Sequence, residues 1–344
     1  MTAILCLDVG SATQDALLWL SGERLENCPK LVLPSPARLV AARIAELTRL
    51  GRPIHLCGVN MGGGFMPAVL DHVAAGLAVS AHPAAALALS DDPEKLSDRG
   101  IRLSDSPPAG HCLVHLGDYQ PGFWRAMLSL AGTAQPDLVL AAAQDHGYHP
   151  GSSNRLGRFA MWQRLLADSH GRLEDLLYDP PPPELTRLAT LRQSTGGGPV
   201  MDTGAAAALG VLFDPDIERG CRSQGALVVN MGNSHVLGLL IFEGRLHGVY
   251  EHHTGQLTGG DLARQLENFR AGKLTNTQVW DSGGHGCLVT DLPRAAKGFA
   301  HTYVIGPRRG EYPGSGADYP APGGDMMLAG CFGLLKAWQA RQPR

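Results

Sequence analysis

Apolar and polar positions alternate along this chain in short blocks. Thr2 to Leu7 is apolar, Asp8-Val9-Gly10-Ser11-Ala12-Thr13-Gln14-Asp15 is mostly polar, and Ala16 to Leu20 is apolar again. The block is short, broken by glycine and without helical period, which predicts strand, tight turn and strand. Pro36 to Leu50 has apolar residues at helical spacing and stops at Gly51, so a helix is expected there. Ile54 to Val59 reads as a buried strand ahead of the turn Asn60-Met61-Gly62-Gly63-Gly64. Leu113 to Leu116 and Leu138 to Ala143 read as further strands, with a helix over Phe123 to Leu130 between them. Alternating strands and helices predict an α/β architecture.

The second half restarts in the manner of the first. Asp179 to Pro183 and Gly196-Gly197-Gly198-Pro199 are breaks, since proline continues neither a helix nor a central strand. Asp202-Thr203-Gly204 can then cap an alanine-rich helix over Ala205 to Leu209. Ala226 to Val229, Val236 to Phe242 and Leu246 to Tyr250 read as three strands, with Asn230-Met231-Gly232-Asn233-Ser234-His235 and Glu243-Gly244 as their turns. This is the grammar of residues 2–35, and it points to an internal duplication. Two domains are expected, residues 1–209 with inserted segments and residues 210–344.

Composition narrows the class. A chain of 344 residues exceeds one typical core, and 44% apolar with 18% charged residues is globular. The net charge of −3 comes without a basic block, so nucleic acid is not an expected partner. No apolar run reaches the roughly 18 residues of a membrane span. Asp8 interrupts the N-terminus early and no basic segment precedes it, so a signal peptide is not expected. Seven cysteines are scattered singly, without C-x-x-C or a clustered triplet, and imply reduced thiols in the cytoplasm.

The candidate chemistry lies in the turns. In the first, an acid, a glycine and two hydroxyls (Asp8, Gly10, Ser11, Thr13) present amides and hydroxyls to an anion such as phosphate, and Asp8 suits hydrated Mg²⁺. An ordinary Gly-Ser hairpin has the same pattern. Gln144-Asp145-His146-Gly147 follows a buried strand, where a carboxylate beside an imidazole could serve as a general base; a turn cap with a backbone-bonded histidine is the alternative. Asn154, Arg155 and Arg158 offer guanidinium forks for carboxylate or phosphate, or form a solvated helix start. Three glycines at 62–64 could bind an anion, although a tight turn is preferred. In Glu251-His252-His253-Thr254-Gly255 the two histidines point to opposite strand faces, so at most one faces a cleft. His285 sits on a glycine-rich loop. One histidine from each segment with Asp145 or His146 could hold a metal, but the spacing matches no recognised motif and a polar substrate-binding role is preferred.

The duplicated pattern resembles the acetate and sugar kinase, heat-shock ATPase and actin superfamily, whose members carry two ribonuclease-H-like domains with ATP in the cleft between them. Asp8 to Thr13 looks like its first phosphate loop and Asn230 to Ser234 like its second. Thr302-Tyr303-Val304-Ile305-Gly306-Pro307 resembles its adenosine strand and turn. Gly323-Gly324-Asp325 with a helix over Met326 to Trp338, carrying Gly330 and Gly333, looks like its closing element. The whole chain also resembles a poorly characterised prokaryotic family within that superfamily, labelled "putative pyruvate-formate-lyase-activating enzyme". Pro34-Ser35-Pro36, Met61 to Gly64, Gln144 to Gly147, Asp202 to Gly204, Glu251 to Gly255 and Gly283-Gly284-His285-Gly286 carry that likeness. Radical activation of the lyase uses a three-cysteine iron–sulfur cluster that this chain lacks, so activase chemistry is disfavoured.

The resemblance implies an α/β fold of two ribonuclease-H-like domains binding ATP or ADP with Mg²⁺. Gly10, Ser11, Thr13, Gly232, Asn233 and Ser234 would hold the phosphates, and Gly306, Gly323 and Gly324 would flank the nucleoside. Asp8 would hold the metal. Asp145 and His146 would act on a small-molecule acceptor met by Gln144, Arg155, His252, His253 and His285. Three positions depart from it: Asp15 where kinases carry a basic residue, Asn230 where the second loop has Asp, and Pro307 in place of a glycine. They favour altered nucleotide chemistry or binding without fast turnover. The expected function is therefore nucleotide-dependent phosphotransfer. One alternative is a non-catalytic switch that regulates a partner enzyme. The other is a metal-dependent hydrolase or group-transfer enzyme using Asp145, His146, His253 and His285. Oligomeric state is not legible.

Overall fold

The computed structural model describes residues 2–90, 92–149 and 154–342, with the side chains of residues 154–156 outside the described residues. The chain opens on an antiparallel meander, β1 (Ala3–Val9), β2 (Thr13–Leu20) and β3 (Lys30–Pro34). β1 is buried along its whole length, as a strand covered on both faces requires. An inserted unit follows: α1 (Pro36–Arg49), β4 (Ile54–Gly58), α2 (Met66–Ala74), β5 (Val79–Ala81), β6 (Ile101–Leu103) and β7 (Cys112–Leu116). Ser35 caps α1 by accepting the Arg38 amide, with Pro36 at the first helical position. The four strands form an all-parallel sheet of order β6-β5-β4-β7 with its own core around Ile44, Leu56 and Phe65.

The chain then returns through α3 (Pro121–Leu130) to β8 (Leu138–Ala143), α4 (Asn154–Asp168), α5 (Thr186–Ser194), β9 (Val200–Asp202) and α6 (Thr203–Val211). β8 lies parallel to β1, and β9 parallel to β8, so the first sheet has the order β3-β2-β1-β8-β9. Asp202 caps α6 through the Gly204 amide. After α7 (Pro215–Gln224), a second meander forms from β10 (Ala226–Met231), β11 (His235–Phe242) and β12 (Arg245–His253). Then come α8 (Gly259–Arg270), α9 (Asn276–Asp281), β13 (Gly286–Val289), β14 (His301–Ile305) and α10 (Ala329–Ala340). The second sheet has the order β13-β12-β11-β10-β14, with β14 parallel to β10. Meander plus parallel fourth strand is the ribonuclease-H-like arrangement, and it occurs twice. The fold is α/β, with two ribonuclease-H-like sheets.

Strand alternation divides the second sheet's core. Val228, Leu239 and Ile305 face the first half, whereas Leu227, Val229 and Leu240 face α8. Between the sheets lie α6 and α10, and α10 also packs on β1, β2 and β8. The expected 209/210 boundary thus falls inside α6, and the last helix lies against the first sheet. Glycines make this seam possible: a Cβ on Gly333 would stand 1.8 Å from the Ala206 carbonyl oxygen, and one on Gly210 1.9 Å from that of Ala329. The helix expected from Met326 begins as a single 3₁₀ turn over Met326–Leu328. Among the described residues no helix is long and apolar enough to cross a membrane.

Candidate functional site

The two meanders end in the same hairpin. In the first, the Gly10 amide donates to the Thr13 carbonyl (2.9 Å); in the second, the Gly232 amide donates to the His235 carbonyl (2.9 Å). The tips meet, with the Ser234 hydroxyl donating to Ser11 Oγ at 2.8 Å. They line a cavity of about 920 Å³ together with the ends of β4, β8 and β14 and the first turn of α10. That volume is ample for a cofactor-sized ligand. Of the expected residues, Asp8, Gly10, Ser11, Thr13, Gln144, Asp145, His146, Gly232, Asn233, Ser234 and Gly306 line it. Gly62, Gly63 and Gly64 line it as well.

Other expected residues stand elsewhere. Gly323 lies in a 3₁₀ turn where a Cβ would meet the Phe332 ring at 2.2 Å, and neither it nor Gly324 reaches the cavity. Met326, Met327, Ala329 and Gly330 form that wall instead. His252 points away from the cavity by strand alternation, with Nε2 at 3.2 Å from the Ser282 carbonyl. His253 and His285 are not among the lining residues and pack edge to face, their ring centroids 4.6 Å apart. The glycines beside His285 serve packing: a Cβ on Gly284 would meet the His252 ring at 2.4 Å, and one on Gly286 the Asn276 side chain at 2.3 Å. The Arg155 side chain lies outside the described residues.

Asp8 and Asp15 are direct cross-strand partners. Asp8 Oδ1 accepts the Thr203 hydroxyl at 2.7 Å, and its other oxygen lies where only a glycine, Gly330, leaves room. Asp15 accepts a long 3.4 Å bond from the Thr13 hydroxyl at Oδ2, while its Oδ1 is buried and finds no partner among the described residues. Like charges facing each other across strands repel. Burial above all pushes the Asp8 carboxyl up to about 7 and the Asp15 carboxyl up to about 8, with the Asp8 charge adding to the latter. An acid pair open to the cavity, with one orphaned buried oxygen, has the donor chemistry of a Mg²⁺ site.

At the far end of the cavity, charges link the two halves. Arg158 donates from Nε to Glu251 (2.6 Å) and from Nη1 to Asp202 (3.1 Å) and the Asp145 carbonyl (2.5 Å). Gln144 donates to the other oxygen of Glu251 (2.5 Å). Arg187 grips Asp118 with two bonds, 2.6 and 3.0 Å, and donates to the Gln144 carbonyl (2.7 Å). The expected proton-accepting role of Asp145 meets a carboxylate already held on both oxygens, by the Gly147 (2.8 Å) and Leu188 (2.9 Å) amides. Its carboxyl is raised, by burial first. His146 is held well below the usual imidazole range by burial and then by Arg158, so its ring is neutral at pH 7.

Arg187 and Asp118 had no sequence signal of their own. His235 was findable, because it occupies the place in the second hairpin that Thr13 holds in the first. Among the described residues no group of cysteines converges, and all seven are free thiols.

Among curated proteins, none matches the chain by sequence. Solved structures with distant likeness include the ethanolamine utilization protein EutJ from Carboxydothermus hydrogenoformans. It is 10% identical with a TM-score of 0.32, and 97% of this chain and 89% of that one are covered. The ROK hexokinase from Thermus thermophilus is 12% identical with a TM-score of 0.33, covering 99% of this chain and 100% of that one. The Aquifex aeolicus Ppx/GppA phosphatase is 8% identical with a TM-score of 0.30, covering 89% and 68%. A family model described as "Putative pyruvate format-lyase activating enzyme (DUF1786)" matches residues 61–311, which run from the glycine turn after β4 past Gly306, and the chain belongs to that family.

Proposed function

We propose that the cavity is a Mg²⁺–nucleotide site and that the protein works as an ATP-dependent phosphotransferase or ATPase. The observation that carries this reading is the meeting of two equivalent hairpin tips, one from each sheet, at the Ser234–Ser11 hydrogen bond. The backbone of Ser11, Asn233 and Ser234 and the hydroxyls of Ser11, Thr13 and Ser234, with Gly10 and Gly232 beside them, surround a space where phosphate charge is stabilised by fixed dipoles. The nucleoside lies toward Gly306 and the first turn of α10. Asp8 and Asp15 would hold a Mg²⁺, which would supply the charge that neutralises phosphate. Without that dication the pair, once ionised, would repel the phosphates.

A small hydroxylated or anionic acceptor sits at the opposite end, beside Gln144, His146, Arg158 and Arg187. Asp145 contributes by fixing the turn that carries His146. Catalysis here is positioning and charge stabilisation.

The test is ADP release from ATP with Mg²⁺, comparing wild type with Asp8→Asn. Turnover in wild type and a loss of roughly 100-fold in the variant are expected. Tight ADP binding without turnover under any acceptor would contradict phosphotransfer and favour a nucleotide-dependent switch acting on a partner enzyme.

A further inference from the structure

Three histidines and one glutamate from four separate segments converge beside the nucleotide cavity. His146 follows β8, His235 opens β11, Glu251 lies on β12 and His285 precedes β13. One ligand atom from each lies within 4.8 Å of all the others. The ring centroids of His235 and His285 are 4.8 Å apart, those of His146 and His285 5.1 Å, and those of His146 and His235 5.9 Å. Bonds of about 2.0–2.1 Å to a tetrahedral ion need ligand atoms about 3.3 Å apart. Binding therefore requires the side chains to draw together by up to about 1.5 Å. Among the described residues no other such group occurs.

Charge favours a cation here. Arg158 is shared between two buried carboxylates, Glu251 and Asp202, which leaves one negative charge uncompensated in this network. Arg158 and Gln144 each hold one Glu251 oxygen, as the outer partners of a ligating carboxylate do. Three imidazoles with one carboxylate suit a first-row transition-metal dication better than Mg²⁺ or Ca²⁺, which prefer all-oxygen shells.

We infer that His146, His235, Glu251 and His285 form a binding site for one transition-metal dication of the Zn²⁺ or Fe²⁺ class, separate from the Mg²⁺ at Asp8 and Asp15. His146, His235 and Glu251 line the cavity wall, so the ion would touch whatever anionic group occupies the acceptor end. The inference does not rest on nucleotide binding, and it is tested without nucleotide.

Full-length protein is stripped with EDTA and titrated with Zn²⁺ and with Co²⁺ in excess Mg²⁺, which masks the aspartate pair. Metal content is read by mass spectrometry, and coordination by the visible bands of Co²⁺. One equivalent per chain is expected, with Co²⁺ bands typical of a tetrahedral or five-coordinate nitrogen–oxygen site. His235→Ala and His285→Ala should each weaken Zn²⁺ at least tenfold, and the exposed His301→Gln should leave it unchanged. Failure of wild type to take up Zn²⁺, Co²⁺, Fe²⁺, Ni²⁺ or Mn²⁺ stoichiometrically overturns the inference, whether or not the variants fold. Uptake that a folded variant carrying both His235→Ala and His285→Ala retains in full marks adventitious binding and overturns it equally. Either result leaves the nucleotide reading standing.

Discussion

Asp15 is the residue on which the chemistry of the first hairpin turns. In the proposed nucleotide site a basic side chain at that place would meet phosphate directly. A carboxylate opposite Asp8 instead creates an acid pair that calls for a cation or a proton. Both carboxyls are raised, to about 7 and about 8, so the native state holds protons that the unfolded state has released above about pH 4. More protons on the native state mean that stability falls as pH rises through this window and is lowest above pH 8. In Mg²⁺-free buffer, wild type should therefore lose thermal stability between pH 5 and pH 8. Asp15→Asn should flatten that slope and be the more stable protein at pH 8, and Mg²⁺ should restore wild type there. Melting curves across pH check this, and a wild type insensitive to both pH and Mg²⁺ would contradict it. Asp8→Asn should cost the Mg²⁺-dependent part of nucleotide affinity, at least about tenfold or ~1.4 kcal/mol by calorimetry. Legibility at this scale follows distance along the chain. Asp8, Ser11 and Ser234 share a local pattern of strand, glycine and hydroxyl that any reader of the sequence can see. Glu251 and Arg187 acquire their roles only from partners 93 and 69 positions away, Arg158 and Asp118.

At the scale of elements, the α6–α10 seam holds the two sheets together, and it is built from glycine and alanine. Gly330 gives room to the Asp8 carboxylate, while Gly333 and Gly210 let the helix backbones touch. A methyl at Gly333 has no space to enter without displacing the Ala206 carbonyl. Gly333→Ala should lower unfolding stability by roughly 1–3 kcal/mol, read as a shift of the urea midpoint. An unchanged midpoint would show that the helices are less tightly apposed than described. The meanders were readable as apolar runs cut by glycine, and β8 as an apolar run between Pro136-Asp137 and Gln144-Asp145. The glycines of α10 were readable as a motif, but the crossing of α10 to the first sheet was not, since nothing local in Ala329–Ala340 encodes its partner. β5 and β6 are three residues each, too short for any period to register, so the inserted parallel sheet stayed hidden inside what read as inserted segments. His252 and His253 divide between strand faces as alternation requires, yet neither lines the cavity: His252 turns to Ser282, and beside His253 it is its cross-strand partner His235 that forms the wall.

For the whole molecule, the repeated sheet places two hairpin tips against one cavity, and the insertion supplies its third side through Asn60 to Gly64. The order of elements is what makes the tips equivalent, and no single residue does. If the cavity is the nucleotide site, ligand binding must engage both halves at once and must depend on the dication at the aspartate pair. Titration calorimetry of the full chain with ADP, with and without Mg²⁺, measures this directly. The expected result is one ADP per chain with Mg²⁺ and affinity at least tenfold weaker after EDTA. No heat with ADP or ATP in either condition would contradict it.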